Sequence, residues 1–252
     1  MKKKYLTVFV NFLLGRRLSR PLKIANYTIS GIVVLYVILI AYPNPFFEYS
    51  YKYKNFKIHS THLLGDSIDS ILDRATNHLY CSEINTDVTH NIYFCNSFAR
   101  YSFFAPISRR AFAVNYPIFN TIFIAKCDIA NDSVYKNNIK DNYTKKLSGT
   151  IAHEATHTLI KEKIGLRRFI MLPKWKNEGY CEYIAHNNAN ATKEAKEYLI
   201  VNKNNHKLGA DYRRYYYAVA YLIEIEKMSF DDIVTTNLSL EQVLEKIERL
   251  SL

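Results

Sequence analysis

Glycine, proline and paired cysteines are scarce in this chain, and each scarcity excludes a class of protein. There are 7 glycines and 6 prolines among 252 residues, with no repeating unit, which excludes a collagen-like or low-complexity chain. The 4 cysteines never occur as C-x-x-C, so a zinc cluster built from thiolates is not expected. Because 48% of the residues are hydrophobic, the chain can form one folded domain of ordinary size plus an extra segment.

Acidic residues are absent from the first 47 positions, where every charge is positive. Seven basic side chains occur there, at Lys2, Lys3, Lys4, Arg16, Arg17, Arg20 and Lys23. They supply most of the net charge of +11 and leave +4 for the rest of the chain. The later basic clusters, such as Arg109–Arg110 and Arg167–Arg168, are short and typical of solvated surface. No nucleic-acid partner is expected, because such binding needs a basic face within the folded part.

Charge of either sign is absent from Ile24 to Phe47, and the most apolar part runs from Ile29 to Tyr42. Residues 24–42 are therefore predicted to form a transmembrane anchor. The basic residues 1–23 predict a cytoplasmic tail, which places the rest of the chain outside the membrane. A cleaved signal peptide is the alternative. The long basic segment and the lack of an A-x-A site after the apolar run favour an uncleaved anchor.

The remainder is expected to form a linker, 43–57, and a single domain, 58–252. If that domain is exported, disulfides are permitted. Cys81 and Cys95 are the closest pair in sequence, but four cysteines allow three full pairings. Buried free thiols are an equal alternative.

The pattern within the domain changes from strand-like to helical along the chain. Apolar residues at helical spacing predict a first helix over Ser67 to Tyr80. Aromatic and β-branched residues then predict strands in 90–97 and 110–126. After Tyr143 the spacing is helical, and beyond the two motifs described next it predicts helices at 192–204, 211–227 and 239–250. A sheet followed by helices is typical of an α+β fold.

The stretch Gly149 to Lys163, GTIAHEATHTLIKEK, contains two histidines four residues apart with a glutamate after the first. On a helix, His153 and His157 project from one face and can share one metal ion. Two imidazoles suit zinc, and Glu154 is rotated off the zinc direction, where it can reach a metal-bound water as general base. The alternative interpretation is a surface helix with two solvated histidines.

A catalytic zinc site needs a third protein ligand and one open position. The stretch Leu172 to His186, LPKWKNEGYCEYIAH, offers Glu178 as that ligand, on a helix whose first turn can hold Pro173. Glu182 lies four residues later on the same helical face. It can accept the free N–H of a ligating histidine and so fix the ring orientation.

Together, H-E-x-x-H and the downstream N-E-G-x-x-E-Y resemble the motifs of the gluzincin metallopeptidases. That group includes the thermolysin family, a family of zinc aminopeptidases and the smaller peptidase MA-like domains. The resemblance implies a zincin-like catalytic domain that binds Zn²⁺. Carried over by position, it implies His153, His157 and Glu178 as ligands, Glu154 as general base and Glu182 as the supporting carboxylate.

Two weaker similarities extend the resemblance beyond these motifs. The stretch Asp211 to Glu224, DYRRYYYAVAYLIE, is similar to the aminopeptidase helix that carries a catalytic tyrosine. This similarity implies that Tyr212 stabilises the oxyanion, with Tyr216 as the alternative. The resemblance also implies that Asn120 to Asp128, NTIFIAKCD, is an edge strand that pairs with extended substrate.

The sequence thus predicts a single-pass membrane protein whose zinc metallopeptidase domain lies outside and hydrolyses peptide or protein substrates. Glu154 acts as general base in this prediction. The alternative is an inactive zincin-like domain that serves as an anchored binding module with a structural metal. Glu154 favours the enzyme, because a structural ion needs no general base.

Overall fold

A computed structural model describes residues 20–65, 67–136, 144–186, 191–201 and 208–250. The chain divides into two compact units, Met1–Phe46 and Phe47–Leu252. Most of the expected tail, 1–23, lies outside the described residues. Among the described residues the four cysteines are free thiols, which agrees with the second of the two alternatives for them.

Helix α1, Arg20–Ala41, forms most of the described part of the first unit, followed by a short 3₁₀ turn at Asn44–Phe46. Its first turn contains Pro21, whose missing N–H costs no helical hydrogen bond there. The helix is long and apolar enough to cross a membrane, and many of its apolar side chains are exposed. A signal sequence has the same properties. The expected apolar helix is confirmed, and it begins four residues earlier than the predicted span.

A five-stranded mixed sheet begins the second unit. In spatial order its strands are β1 (Tyr49–Tyr53), β2 (Phe56–Ser60), β3 (His90–Phe94), β5 (Thr121–Ile124) and β4 (Ala113–Tyr116). The three central strands run parallel, and each outer strand is antiparallel to its neighbour. Most side chains of the three central strands are buried, as expected for parallel strands inside a sheet, and Lys57 of β2 is the exposed exception.

Two helices connect the strands of this sheet. Helix α2, Ile68–Tyr80, joins β2 to β3 and makes the crossover that parallel strands require. Helix α3, Phe98–Phe104, follows β3 and begins at Ser97, whose hydroxyl accepts the N–H of Arg100. The predicted helix over 67–80 agrees with α2, whereas α3 has too few residues to show a helical period in the sequence.

Two stretches differ from their sequence-based interpretation. The segment expected as a linker, 43–57, contains all of β1 and the start of β2, so the chain joins the sheet earlier. The expected edge strand at 120–128 is wrong, because β5 lies between β3 and β4. A turn at 117–120 reverses the chain, so the preceding strand, β4, covers the outer side of β5.

A second, three-stranded sheet leads into the helical half. It consists of β6 (Cys127–Asp128), β7 (Ser133–Tyr135) and β8 (Thr144–Lys146). In the described residues after this sheet, the helices are α4 (Leu147–Met171), α5 (Lys174–His186), α6 (Ala191–Val201), α7 (Leu208–Glu224), α8 (Phe230–Thr235) and α9 (Leu240–Glu248). The predicted α+β class is confirmed, and the end of the helix expected at 192–204 lies outside the described residues.

Glycines fix two features of the helical half. At Gly165 the backbone has φ 78° and ψ 154°, which breaks α4 into a long first part and a short last turn. At Gly179 an added Cβ would lie 2.5 Å from the carbonyl oxygen of Tyr215 and 2.7 Å from Val219 Cγ2. Helix α5 therefore approaches α7 at a distance that only glycine permits.

Candidate metal centre

Helix α4 places both motif histidines in a largely buried cluster. His157 is 9% exposed and Glu154 is 8% exposed, while the side chain of His153 is 12% exposed. The two imidazole rings lie 5.0 Å apart, centre to centre, at 82° to each other. The alternative of two solvated surface histidines is therefore wrong.

The packing of α5 on α4 brings Glu178 to these rings. Its Oε2 lies 3.4 Å from Nε2 of His153 and 3.7 Å from Nε2 of His157. Three atoms that can bind a metal thus converge from two helices. All three belong to residues that the sequence motifs single out.

The electrostatics of the cluster keep Glu178 ionised. Burial alone raises the pKa of its carboxyl, but the hydrogen bond with His153 and the charge of His157 lower it to about 2. Burial acts in the opposite sense on His153 and lowers its pKa. The hydrogen bond with Glu178 and the charges of Glu182 and Glu154 outweigh that effect, so the pKa of His153 is raised.

Glu154 differs from Glu178 in its surroundings. Burial raises the pKa of the Glu154 carboxyl, and the charges of His153 and His157 offset this rise only in part. The backbone carbonyl of Glu154 accepts a hydrogen bond from Asn115 of β4, which also donates to Thr158 Oγ1 at 2.9 Å. The edge strand β4 is therefore fixed against the helix that carries the cluster.

Asn177 orients His157 and was not singled out from the sequence. Its Oδ1 lies 3.0 Å from Nδ1 of His157. An amide oxygen can only accept, so Nδ1 donates and the lone pair of the ring is on Nε2, the atom beside Glu178. The signal was its position directly before Glu178 in the motif N-E-G-x-x-E-Y.

Glu182 lies behind His153, surrounded by three cationic or titratable groups. Its Oε1 is 3.6 Å from Nδ1 of His153 and 3.0 Å from Nζ of Lys145 in β8. Its Oε2 is 3.3 Å from Nδ1 of His186. Burial raises the pKa of Glu182, but the charges of His153, Lys145 and His186 lower it overall. His186 lies four residues after Glu182 on the same helix, so this pair was readable from the sequence spacing. Lys145 had no such signal, because it belongs to β8 and reaches Glu182 only through tertiary packing.

A thiol forms a second grouping with the same histidines. Donor atoms of His153, His157 and Cys181 all lie within 4.8 Å of one another, so this group could hold a metal ion. Cys181 Sγ lies 3.3 Å from Nδ1 of His157, the nitrogen that faces Asn177. Burial raises the pKa of the Cys181 thiol well above its usual value, and three nearby carboxylates raise it further.

The two candidate tyrosines of α7 have different neighbours. Burial raises the pKa of Tyr212, and the charges of Glu178, Glu154 and Glu182 raise it further, so its hydroxyl keeps its proton near the cluster. Lys174 Nζ lies 5.2 Å from the centre of the Tyr212 ring. By contrast, Tyr216 packs on His186 at 4.9 Å, and its buried hydroxyl has no hydrogen-bond partner among the described residues.

No family model matches this chain, and no protein of curated function is similar enough to match it.

Proposed function

We propose that the chain is a zinc metallopeptidase held at a membrane by α1. One observation carries the proposal: Glu178 Oε2 lies within 3.7 Å of the Nε2 atoms of both His153 and His157. Two imidazole nitrogens and one carboxylate oxygen are the donor set of catalytic zinc sites that keep a fourth position open.

The residues around these donors fit a zinc ion. Asn177 accepts a hydrogen bond from Nδ1 of His157, and Glu182 lies 3.6 Å from Nδ1 of His153, so the Nε2 atoms beside Glu178 are the ones left to bind a metal. Glu178 is ionised at neutral pH, whereas the Cys181 thiol would have to lose a proton beside three carboxylates. We therefore assign Glu178, rather than Cys181, as the third ligand.

Zinc bound here would supply an acidic water and polarise a substrate carbonyl. The chain supplies the rest of the chemistry. Glu154, with a raised pKa, is suited to take up a proton and return it to the amine that leaves. Tyr212 has a protonated hydroxyl that can donate a hydrogen bond to the carbonyl oxygen as negative charge develops there.

Substitution of the general base and of a ligand tests the assignment. In the full chain, purified in detergent, Glu154→Gln should keep one zinc per chain and lose peptide hydrolysis, because no ligand is removed. His157→Ala should lose both zinc and hydrolysis. The exposed His62 provides a control, and His62→Ala should keep both. Elemental analysis and cleavage of a fluorescent generic protein substrate measure the two properties.

The outcomes separate this proposal from its alternatives. Full zinc content in His157→Ala means that the ion is bound elsewhere and contradicts the assignment. Loss of zinc in Cys181→Ser, with zinc kept in Glu178→Gln, makes the thiol the third ligand. A zinc-loaded wild-type chain that binds peptides but cleaves none is the inactive binding module. The described edge strand β4, fixed to α4 through Asn115, would be its peptide-binding candidate.

The membrane topology belongs to the same proposal. The basic residues before α1 favour a cytoplasmic N-terminus, which places the metal centre outside. Protease added to sealed vesicles of known orientation should digest the domain only when the outer face is accessible.

A further inference from the structure

The end of α4 carries exposed apolar side chains beside the candidate metal centre. After the break at Gly165 the chain forms a short turn, residues 165–172, which we call the distal turn. Ile170 is 67% exposed and Met171 is 64% exposed, and Leu166 is also exposed. Large apolar side chains grouped in one exposed turn are typical of a surface that binds a partner or a membrane.

The charge of the distal turn is positive. No acidic residue occurs between Glu162 and Glu178, whereas Arg167 and Arg168 are both exposed within the turn. Just before the turn, Glu162 is paired with Lys161, and Lys163 is paired with Asp231. Two adjacent arginines flanked by apolar residues, with no ion pair to either arginine among the described residues, suit the boundary between anionic headgroups and acyl chains.

The distal turn also lies close to the metal centre. The ring of Phe169 lies 6.4 Å from the ring of His157, centre to centre, and is perpendicular to it. The turn therefore folds back from Gly165 along one side of the histidine pair. A partner or membrane bound by the distal turn would therefore lie close to the candidate metal centre.

The connection to α1 limits how far the domain can move from a membrane. Helix α1 ends at Ala41 and strand β1 begins at Tyr49. A fully extended chain of that length spans at most about 30 Å. If α1 crosses a bilayer, the domain stays within about one domain diameter of the lipid surface.

We infer that the distal turn inserts into the interface of an anionic bilayer. Ile170 and Met171 enter the boundary of the acyl chains, and Arg167 and Arg168 bind lipid phosphates. This inference rests on the membrane anchoring in the proposed function, and not on zinc or hydrolysis. Combined with the proposed hydrolysis, it implies that the substrates are protein segments lying close to the membrane surface, since the metal centre is held there.

Tryptophan quenching in reconstituted vesicles tests the inference. The single tryptophan, Trp175, is first replaced by phenylalanine, and Ile170→Trp is introduced into that background of the full chain. Acyl-brominated lipids quench only tryptophans that enter the bilayer. Ile170→Trp should lose emission in brominated vesicles of anionic lipid, relative to unbrominated ones. Co-flotation with the vesicles establishes separately that α1 anchors the chain.

A matched control uses Ile225, which is also apolar and 46% exposed. Ile225 follows Glu224, whose carboxylate accepts a hydrogen bond from Thr192 and whose charge raises the pKa of Tyr183. Tyr183 lies near the end of α5, whereas the distal turn precedes the start of that helix. Ile225→Trp should keep its emission. Adding Arg167→Gln and Arg168→Gln to Ile170→Trp should lower the ratio of inserted to released turn by about 30-fold, because each arginine contributes about 1 kcal/mol.

Two results would overturn the inference. One is equal emission from Ile170→Trp in brominated and unbrominated vesicles when the chain does co-float. The other is an Ile170→Trp spectrum that shifts with added peptide but not with lipid, which makes the distal turn a peptide-binding surface. If the chain does not co-float with the vesicles, the proposed membrane anchoring is wrong, and this inference falls with it. Zinc binding and hydrolysis are tested separately by the substitutions described above.

Discussion

The two candidate histidine ligands have polar neighbours on their Nδ1 side, one as a hydrogen bond and one as a longer electrostatic contact. His157 donates to Asn177, and His153 faces Glu182, which in turn contacts Lys145. These contacts restrict the rotation and the tautomer of the imidazole rings before a metal binds. Metal binding then costs less conformational entropy, so its affinity is expected to be higher. The site is therefore specified by its supporting residues as well as by the ligands.

Asn177 gives the sharpest prediction at this scale. Asn177→Ala should weaken zinc binding by about 10–100-fold, because His157 loses the acceptor that selects its tautomer. Asn177→Asp keeps an acceptor oxygen and should retain most of the affinity. Competition against a chelator of known affinity measures the dissociation constants. Equal affinity in wild type and Asn177→Ala would show that the contact does not orient the ring.

At the scale of elements, the site depends on how closely α5 lies to its neighbours. Gly179 follows Glu178 directly and faces the backbone of α7 at Tyr215. Gly149 of α4 similarly faces the carbonyl oxygen of Ala185, but at 3.3 Å for an added Cβ. The glycine in N-E-G-x-x-E-Y is thus required for helix packing rather than for chemistry.

Gly179→Ala should therefore destabilise the domain by about 1–3 kcal/mol, because the new methyl group overlaps a backbone carbonyl that cannot move alone. Gly149→Ala is the matched control. Its contact is milder and its gain in helix propensity is about 1 kcal/mol, so its net effect should be small. Chemical denaturation measures both. A Gly179→Ala protein as stable as Gly149→Ala would contradict the close packing.

Element lengths explain which parts of the fold were predictable. Helix α2 and the helices of the two motifs show helical spacing over many residues and were found from the sequence. Helices α3 and α8, with 7 and 6 residues, are too short to show a period. Strand β1 has mostly exposed side chains and polar neighbours, so it resembled a linker.

At the scale of the whole molecule, the folded unit buries a histidine that is not part of the candidate metal centre. His90, at the start of β3, is 1% exposed, and its Nδ1 has no hydrogen-bond partner among the described residues. Burial lowers the pKa of His90 to about 4. Protonation of this side chain is therefore coupled to the unfolding of the entire domain.

The pH dependence of stability that His90 causes follows from its pKa in the folded domain and in the unfolded chain. In the unfolded chain His90 titrates near 6.5, so between pH 6.5 and 4 the unfolded chain binds a proton that the folded domain does not. Stability is thus lost as the pH falls through this window. The loss from His90 should be about 3 kcal/mol.

His90→Gln isolates this contribution, because all other groups titrate in both proteins. Denaturation at pH 7 and at pH 4 should show a smaller loss of unfolding free energy in His90→Gln than in wild type. The comparison uses the pH dependence rather than the absolute stability, which the substitution itself changes. Identical pH dependence in the two proteins would mean that His90 is not buried neutral.

The sequence by itself determined what lies within one element. The 3.6-residue period places His153 and His157 on one face, puts Glu154 beside them, and spaces Glu178 and Glu182 along a second helix. Likewise the absence of charge from residue 24 to residue 47 was enough to predict the apolar helix α1. These features are local, and backbone geometry fixes them whatever the rest of the chain does.

Only the tertiary structure decided which elements meet. The contact of α5 with α4, the contacts of Asn177 and Lys145 with the cluster, and the choice of strand at the sheet edge depend on non-local burial. So does the approach of Phe169 to His157, which requires the positive φ of Gly165. These contacts form because the domain as a whole buries the most apolar surface in this arrangement. The total buried surface depends on every element together, so it cannot be read from the sequence pattern of one element.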